Sequence, residues 1–359
     1  MGRRGGWLAR RLGGAPPPAA AGGGVGLPAA APLPEGAAGR LLRDGFVVLP
    51  GVVCPEAAAA ARREVNRSLG EGGGPQRRGD SECCRDLGDH PALLDLYHAG
   101  SLRPTVEGLV GPTHPVGGAQ VALRFPGAGC GPGFAPPANW SEHWHLDGLA
   151  HPHNRHTPAG EVHNFTALVG VLLADVPRSF YGNLAVFPGS HLRLQDHFRA
   201  NGFERVKSLG TAGLPSAREA GFDRPPEQVS GRAGDVVIAN YNLAHLVAPN
   251  ASPDIRYCVY FRVRTLAHGT RQGHRPEAML DVWADWPGLL AAREKEEMQV
   301  ALRASRADAV MGDFSGGRGS SAAGGAGGAG APAGVVDLTS GGEEDEELKL
   351  ALAISRVEQ

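Results

Sequence analysis

Short apolar runs separated by turn residues are the feature that most restricts how this chain can fold. Phe46–Leu49 reads as a strand followed by a Pro50-Gly51 turn, and Pro55–Ser68 as a helix with Pro in its first turn. Gln120–Phe125, Phe165–Leu173, Asn183–Phe187, Asp235–Asn240 and Tyr257–Val263 read as further strands, bounded by turn residues. Many short strands, long decorated loops and few helices predict a mainly β fold, a double-stranded β-helix (jelly roll, cupin-like) with flanking helices. The ends have a different texture. Gly and Pro are dense in residues 1–38 and Gly in 312–342, which predicts disordered tails there. Charged helical patterns resume after Trp286-Pro287 and again at the C-terminus.

Charge and cysteine usage exclude several function classes. A net charge of -2 and a pI near 6.7 provide no bulk positive field for nucleic acid or an anionic membrane surface. The most apolar run, 165–176, falls well short of the roughly 20 residues that cross a bilayer. Cys54, Cys83, Cys84, Cys130 and Cys258 are odd in number and lack CxxC spacing, which argues for a reducing compartment over a disulfide framework or a zinc knuckle. The N-terminal tail carries Arg3, Arg4, Arg10 and Arg11 with no acid before Glu35, as an organelle transit peptide would; its lack of Ser and of an unbroken helical stripe leaves a plain disordered tail as the alternative.

The chemistry concentrates in His143-Trp144-His145-Leu146-Asp147-Gly148. His145 and Asp147 are two apart, so on a strand both side chains project from one face. A His and a carboxylate are two of the three ligands of the facial triad that holds non-haem Fe(II), the third being a distant His. His245, in Asn242-Leu243-Ala244-His245-Leu246-Val247-Ala248-Pro249-Asn250, is a candidate for it. An HxD by itself reads equally well as a hydrogen-bonded strand surface. His143 shares the His145 face by spacing, and His151, His153, His156 and His163 decorate a following loop where solvated histidines are ordinary.

The neighbouring motifs sharpen that reading. Gly182-Asn183-Leu184-Ala185-Val186-Phe187-Pro188-Gly189-Ser190-His191 lies between the two ligand segments; Pro249-Asn250-Ala251-Ser252 and Arg256 follow His245, and Asp44-Gly45-Phe46-Val47-Val48-Leu49-Pro50-Gly51-Val52 opens the domain. Together these resemble the phytanoyl-CoA dioxygenase family over about Gly39 to Trp286. The resemblance implies a jelly-roll oxygenase with Fe(II) on His145, Asp147 and His245, and 2-oxoglutarate and O2 as cosubstrates. Arg256 would receive the distal carboxylate of 2-oxoglutarate in a bidentate pairing that Lys imitates poorly, with Gln120 and Arg124 as further contacts. Retention of Asp147, which related halogenases replace, implies hydroxylation of a small molecule or acyl substrate. His191 reads as structural. Family members often carry a hydroxyl two residues after the distal His, where this chain has Val247.

Two C-terminal segments repeat each other. Glu294–Asp308 and Glu343–Glu358 align Met298, Ala301, Leu302 and Ser305 with Leu348, Ala351, Leu352 and Ser355, each after an acidic run. Both resemble ubiquitin-interacting motifs, and positions 298, 301, 302 and 305 share one helical face at i, i+3, i+4 and i+7. An amphipathic helix docked on its own domain is the other reading of such a segment. Between them, Val335, Val336 and Leu338 precede Glu343–Glu347 and resemble a SUMO-interacting motif that adds a strand to a sheet edge.

The sequence therefore predicts a tail at 1–38, an oxygenase domain at 39–290, a ubiquitin-interacting helix at 291–308, a Gly/Ala-rich linker at 309–342 with a SUMO-interacting segment at 335–339, and a second ubiquitin-interacting helix at 343–359. Small-molecule substrate, ubiquitin or polyubiquitin, and SUMO are the expected partners, with neither nucleic acid nor membrane among them. The ubiquitin motifs favour cytoplasm or nucleus; the Arg-rich start favours an organelle. The alternative function is a catalytically degenerate jelly roll serving as a ubiquitin-binding adaptor.

Overall fold

The computed structural model describes residues 29–74, 83–127, 131, 133–151, 157–268 and 275–316, the last part from 304 as helical backbone only. The SUMO-like residues Val335, Val336 and Leu338, the second ubiquitin-like set Leu348, Ala351, Leu352 and Ser355, and most of the N-terminal tail lie outside the described residues. The chain divides into Met1–Arg303 and Ala304–Gln359, and every strand among the described residues belongs to the first unit.

Four helices, α1 (Ala37–Asp44), α2 (Pro55–Ser68), α3 (Pro91–His98) and α4 (Leu102–Val110), precede most of the β structure, with β1 (Phe46–Leu49) between the first two. Then come β2 (Gln120–Arg124), β3 (Ala167–Leu172), β4 (Leu184–Val186), α5 (Ser190–Asn201), α6 (Glu204–Leu209), β5 (Glu227–Gln228), β6 (Val236–Asn240), β7 (His245–Val247), β8 (Arg256–Val263) and α7 (Pro287–Gly316). The large sheet has the order β1-β6-β3-β8-β2 and the small one β5-β4-β7; every pairing is antiparallel.

Side-chain alternation divides the interior into two cores. Val47, Leu49, Val169, Val171, Val236, Ile238, Val259 and Phe261 face α1–α4 on one side of the large sheet. Phe46, Leu168, Leu172, Val237, Ala239, Cys258 and Tyr260 face the other side, where they pack with Leu184, Val186 and Leu246 of the small sheet. Successive residues of a strand point to opposite faces, so one strand feeds both cores. A fully buried Val, Leu or Phe contributes about 1.5–3 kcal/mol, so both cores bear on stability. The large-sheet strands agree with the predicted runs to within two residues, whereas the small-sheet strands are only two or three residues long.

Packing on the first core extends past residues 39 and 290. α1 begins at Ala37, and Ala31 and Leu33 already pack against the first core, ahead of the boundary at 39. At the other end α7 runs unbroken through residue 290. Leu289 and Ala292 pack on the core, and the Glu296 carboxylate accepts the Ala38 and Gly39 amides at 3.3 and 3.4 Å. Those are orphan donors in the first turn of α1, whose N-cap Gly36 has no side chain to satisfy them.

His191 ties the end of α1 to the rest. Its Nε2 meets Leu42 O at 3.1 Å, its ring stands edge-on to Trp283, and its Nδ1 has no partner. Gly45, at φ 83, lies against that ring so closely that a Cβ there would sit 2.5 Å from Nδ1. Burial lowers the imidazole pKa to about 4, outweighing the Leu42 hydrogen bond and the Asp44 charge. The folded protein thus holds His191 neutral where the unfolded chain binds a proton, and stability rises with pH between the two values. We expect this contribution, roughly 3 kcal/mol, to be complete above pH ~6.5 and lost as pH falls towards 4. In urea titrations across that window, His191→Gln should flatten the slope of unfolding free energy against pH; an unchanged slope would refute the assignment.

Candidate metal centre

The two candidate histidines face each other across an isolated antiparallel bridge. The His145 amide donates to His245 O at 2.9 Å, and the His245 amide to His145 O at 3.2 Å. Their ring centroids are 4.6 Å apart. His245 is held from behind, because the Ala244 amide donates to Ser190 Oγ at 2.9 Å and the Phe187 amide to Ala244 O at 3.0 Å. The Pro-Gly-Ser turn therefore anchors the residue before the distal His.

The HxD segment is not the strand that its spacing predicts. Only His145 forms a bridge, and Asp147-Gly148 is a turn, with Gly148 at φ 71 and so close to the His163 carbonyl that a Cβ there would collide with it. That turn brings the carboxylate round to the imidazoles. Asp147 Oδ1 is 3.9 Å from His145 Nε2 and 3.8 Å from His245 Nε2, and one ligand atom from each of the three residues lies within 4.8 Å of the others. Two imidazole nitrogens and one carboxylate oxygen suit a divalent first-row ion.

Neighbouring groups prepare these ligands. His245 Nδ1 is 2.9 Å from Leu243 O, which places the proton on Nδ1 and leaves the Nε2 lone pair towards Asp147. About a third of the His145 side chain reaches solvent, yet its imidazole pKa is lowered to about 4, first by crowding and then by His245, with Asp147 opposing. Burial pushes the Asp147 carboxyl up, but Arg262, then His245 and His145, outweigh it and hold the group ionised. Arg262 Nη2 donates to Asp147 Oδ2 at 2.9 Å and to Gln120 Oε1 at 2.8 Å. Gln120 therefore reaches the site through Arg262.

Arg256 opens β8 on the inter-sheet face that also carries Cys258, Tyr260 and Arg262. It is buried, and its Nε and Nη1 donate to Gly182 O at 2.7 Å and Ala122 O at 3.1 Å. Arg124 is its register partner on β2, and its pKa is lowered by burial and then by the Arg256 charge. Asn250 staples the loop leading to Arg256, donating to Arg124 O and Asp254 O while its Oδ1 accepts both the amide and the hydroxyl of Ser252. His143 and Val247 are exposed; His151 adds its charge near His145, His163 pairs with Glu161 at 2.6 Å, and His153 and His156 lie outside the described residues.

The sequence motifs do not point to Arg262 or Tyr241. Arg262 had a detectable signal, being on the same strand face as Arg256 at even spacing. Tyr241 had none. Its hydroxyl is buried without a partner, and its pKa is raised by burial and then by the Asp147 charge. An orphaned hydroxyl beside the triad is what a site built around a bound polar group would leave in its absence.

No family model and no curated protein matches the chain. Among solved structures it is similar to SnoK, a non-heme alpha-ketoglutarate-dependent carbocyclase from nogalamycin biosynthesis (21% identity, TM-score 0.46, 65% of this chain and 84% of that one). It is also similar to EctD from S. alaskensis in its apoform (18%, TM-score 0.45, 67% and 81%). A third is HygX from Streptomyces hygroscopicus with nickel and 2-oxoglutarate bound (17%, TM-score 0.40, 65% and 88%). All three TM-scores are under 0.5, so the functional assignment rests on the residues themselves.

Equilibrium dialysis against Co(II) should find one ion per chain, with affinity lost in Asp147→Ala and weakened about 10- to 100-fold in Arg262→Met, the usual effect of removing a partner of a ligand. Undiminished Co(II) binding by Asp147→Ala would place the ion elsewhere.

Proposed function

We propose that the protein is an Fe(II)- and 2-oxoglutarate-dependent oxygenase of jelly-roll architecture that hydroxylates a small molecule or acyl substrate. The observation that carries this reading is the convergence of His145 Nε2, His245 Nε2 and an Asp147 oxygen, with a buried arginine, Arg256, on the same inter-sheet face. Two sheets packed over one core, with the site between them, support the jelly-roll assignment.

When bound, iron and 2-oxoglutarate would supply the oxidising power to insert one atom of O2 into a substrate C–H bond, the other leaving in succinate as CO2 is lost. The chain's own part is positioning. The Leu243 carbonyl fixes the His245 tautomer, and Arg262 engages one Asp147 oxygen, leaving the other towards the imidazoles. The carbonyls of Gly182 and Ala122 fix the Arg256 guanidinium through Nε and Nη1, and a carboxylate would take its remaining N–H donors. Arg124 adds a second positive charge near Arg256. Tyr241 offers a hydroxyl donor on the triad side.

Anaerobic titration with Fe(II) and 2-oxoglutarate should develop a visible metal-to-ligand charge-transfer band, absent in Asp147→Ala and requiring about tenfold or more 2-oxoglutarate in Arg256→Ala, since a charge-assisted pair is lost. A folded wild-type protein with no band would make the domain a scaffold.

We further propose that the two C-terminal repeats bind ubiquitin. On α7 the residues that dock on the domain, Leu289, Ala292, Glu296 and Arg303 (which pairs with Glu35 at 2.6 Å), fall on one side. At about 100° per residue, Met298, Ala301 and Leu302 fall on the opposite side, and Ala301 is exposed. Docking and partner binding therefore use different faces. The intact protein should be retained on polyubiquitin beads and released by Ala301→Arg combined with Ala351→Arg; retention that survives both changes would discard this role.

A further inference from the structure

We propose that the Tyr241 hydroxyl donates a hydrogen bond to a small acceptor carried by the metal, water or an anion, on the side of the triad away from Arg256. This rests on the metal centre of the oxygenase reading and assigns a donor to its open side. The hydroxyl is buried and has no partner. Tyr241 directly follows β6, and Val237, Ala239 and Tyr241 alternate onto the face between the sheets. Burial, and then the Asp147 charge, keep the phenol protonated, so it meets an acceptor as a neutral donor.

Its neighbours keep the phenol from turning towards a partner elsewhere. Asn240 Nδ2 donates to Val282 O at 2.7 Å and Asn242 Nδ2 to Met279 O at 2.9 Å, while the Asn242 amide donates to Asn240 Oδ1 at 2.9 Å. The chain is thus fastened on both sides of Tyr241. The ring stands edge-on to Phe165, centroids 5.0 Å apart, and Arg262, which engages Asp147, lies 5.9 Å from the Phe165 centroid. A buried hydroxyl without a partner costs stability, and a cost that the surroundings enforce points to a ligand that relieves it. Strand register gives the direction. Asn240 and Val263 both pair with Ala167, so Tyr241 lies at the Val263 end of β8, where Arg262 also is. Arg256 begins that 8-residue strand, roughly 23 Å from its other end. The donor and the cosubstrate anchor therefore stand at opposite ends of the inter-sheet space.

The test sets Tyr241→Phe against wild type in two measurements on the intact protein. In urea titration without metal, the variant should be as stable as wild type or more so, because the hydroxyl it lacks had no partner. In titration of the Co(II)-loaded protein with azide, followed by the cobalt visible spectrum, the variant should bind azide about 3- to 10-fold more weakly, the effect of one hydrogen bond. A purely packing role would do the reverse, lowering stability and leaving azide unmoved. Tyr241→Leu, which removes the ring as well, supplies a second arm: it should lose stability yet bind azide no more weakly than Tyr241→Phe, since both lack only the same donor. A metal-free Tyr241→Phe less stable than wild type would show that the hydroxyl already has a partner, and equal azide affinities that no acceptor meets it; either result overturns the proposal. Failure of the oxygenase reading is distinguishable. No Co(II) uptake would remove the metal centre and the donor together, whereas a missing iron and 2-oxoglutarate band with the azide difference intact would remove the oxygenase and keep the donor.

Discussion

Two backbone hydrogen bonds between His145 and His245 set the separation of the imidazoles, and the architecture around them serves to keep that short bridge in place. One bridge is a weak tether, since a net hydrogen bond contributes only about 0.5–1.5 kcal/mol. Its persistence depends on what stands behind each partner. His245 is the first residue of β7, whose pairing with β4 continues the bridge, and Ser190 holds the preceding amide. His145 has no strand of its own and relies on the Asp147-Gly148 turn, which Arg262 clamps from β8. Both sheets therefore meet at the triad, the small one through His245 and the large one through Arg262.

The strand sequence was largely legible because the large sheet buries both faces. Its strands have nearly continuous apolar runs, such as Val236–Ala239 and Ala167–Leu172, that stand out without any partner being known. The small sheet carries less signal: β4, β5 and β7 are two or three residues long, and their pairing is decided by tertiary contacts such as Phe187 with Ala244. The HxD spacing pairs His145 and Asp147 through strand alternation, whereas in the structure a turn brings the two side chains together. Arg262 and Tyr241 carry no such spacing signal because their places arise from distant parts of the chain, Arg262 facing Asp147 and Tyr241 following β6 within reach of the Asp147 charge.

The Pro249-Asn250-Ala251-Ser252 segment illustrates a motif whose residues brace the site without lining it. Asn250 and Ser252 are buried, and between them they satisfy the Arg124 and Asp254 carbonyls and their own loop amide. That loop delivers Arg256 to the start of β8 in register with Arg124, whose side chain is exposed where that of Arg256 is buried. A buried cation is costly without hydrogen-bonding partners, and the carbonyls of Gly182 and Ala122 accept from Arg256.

The same division of faces governs α7. A helix that merely docked would need one apolar stripe, and a free recognition helix would need none against the domain. Here Leu289, Ala292 and Glu296 fasten the first turns, with Glu296 completing the amide bonds of α1. Because α1 leads through Gly45 into β1 and against His191, the fastening reaches the core that carries β6 and hence Tyr241. The opposite side leaves Ala301 exposed. Docking therefore occupies one side of the helix, and the ubiquitin reading proposed for the other side does not compete with it.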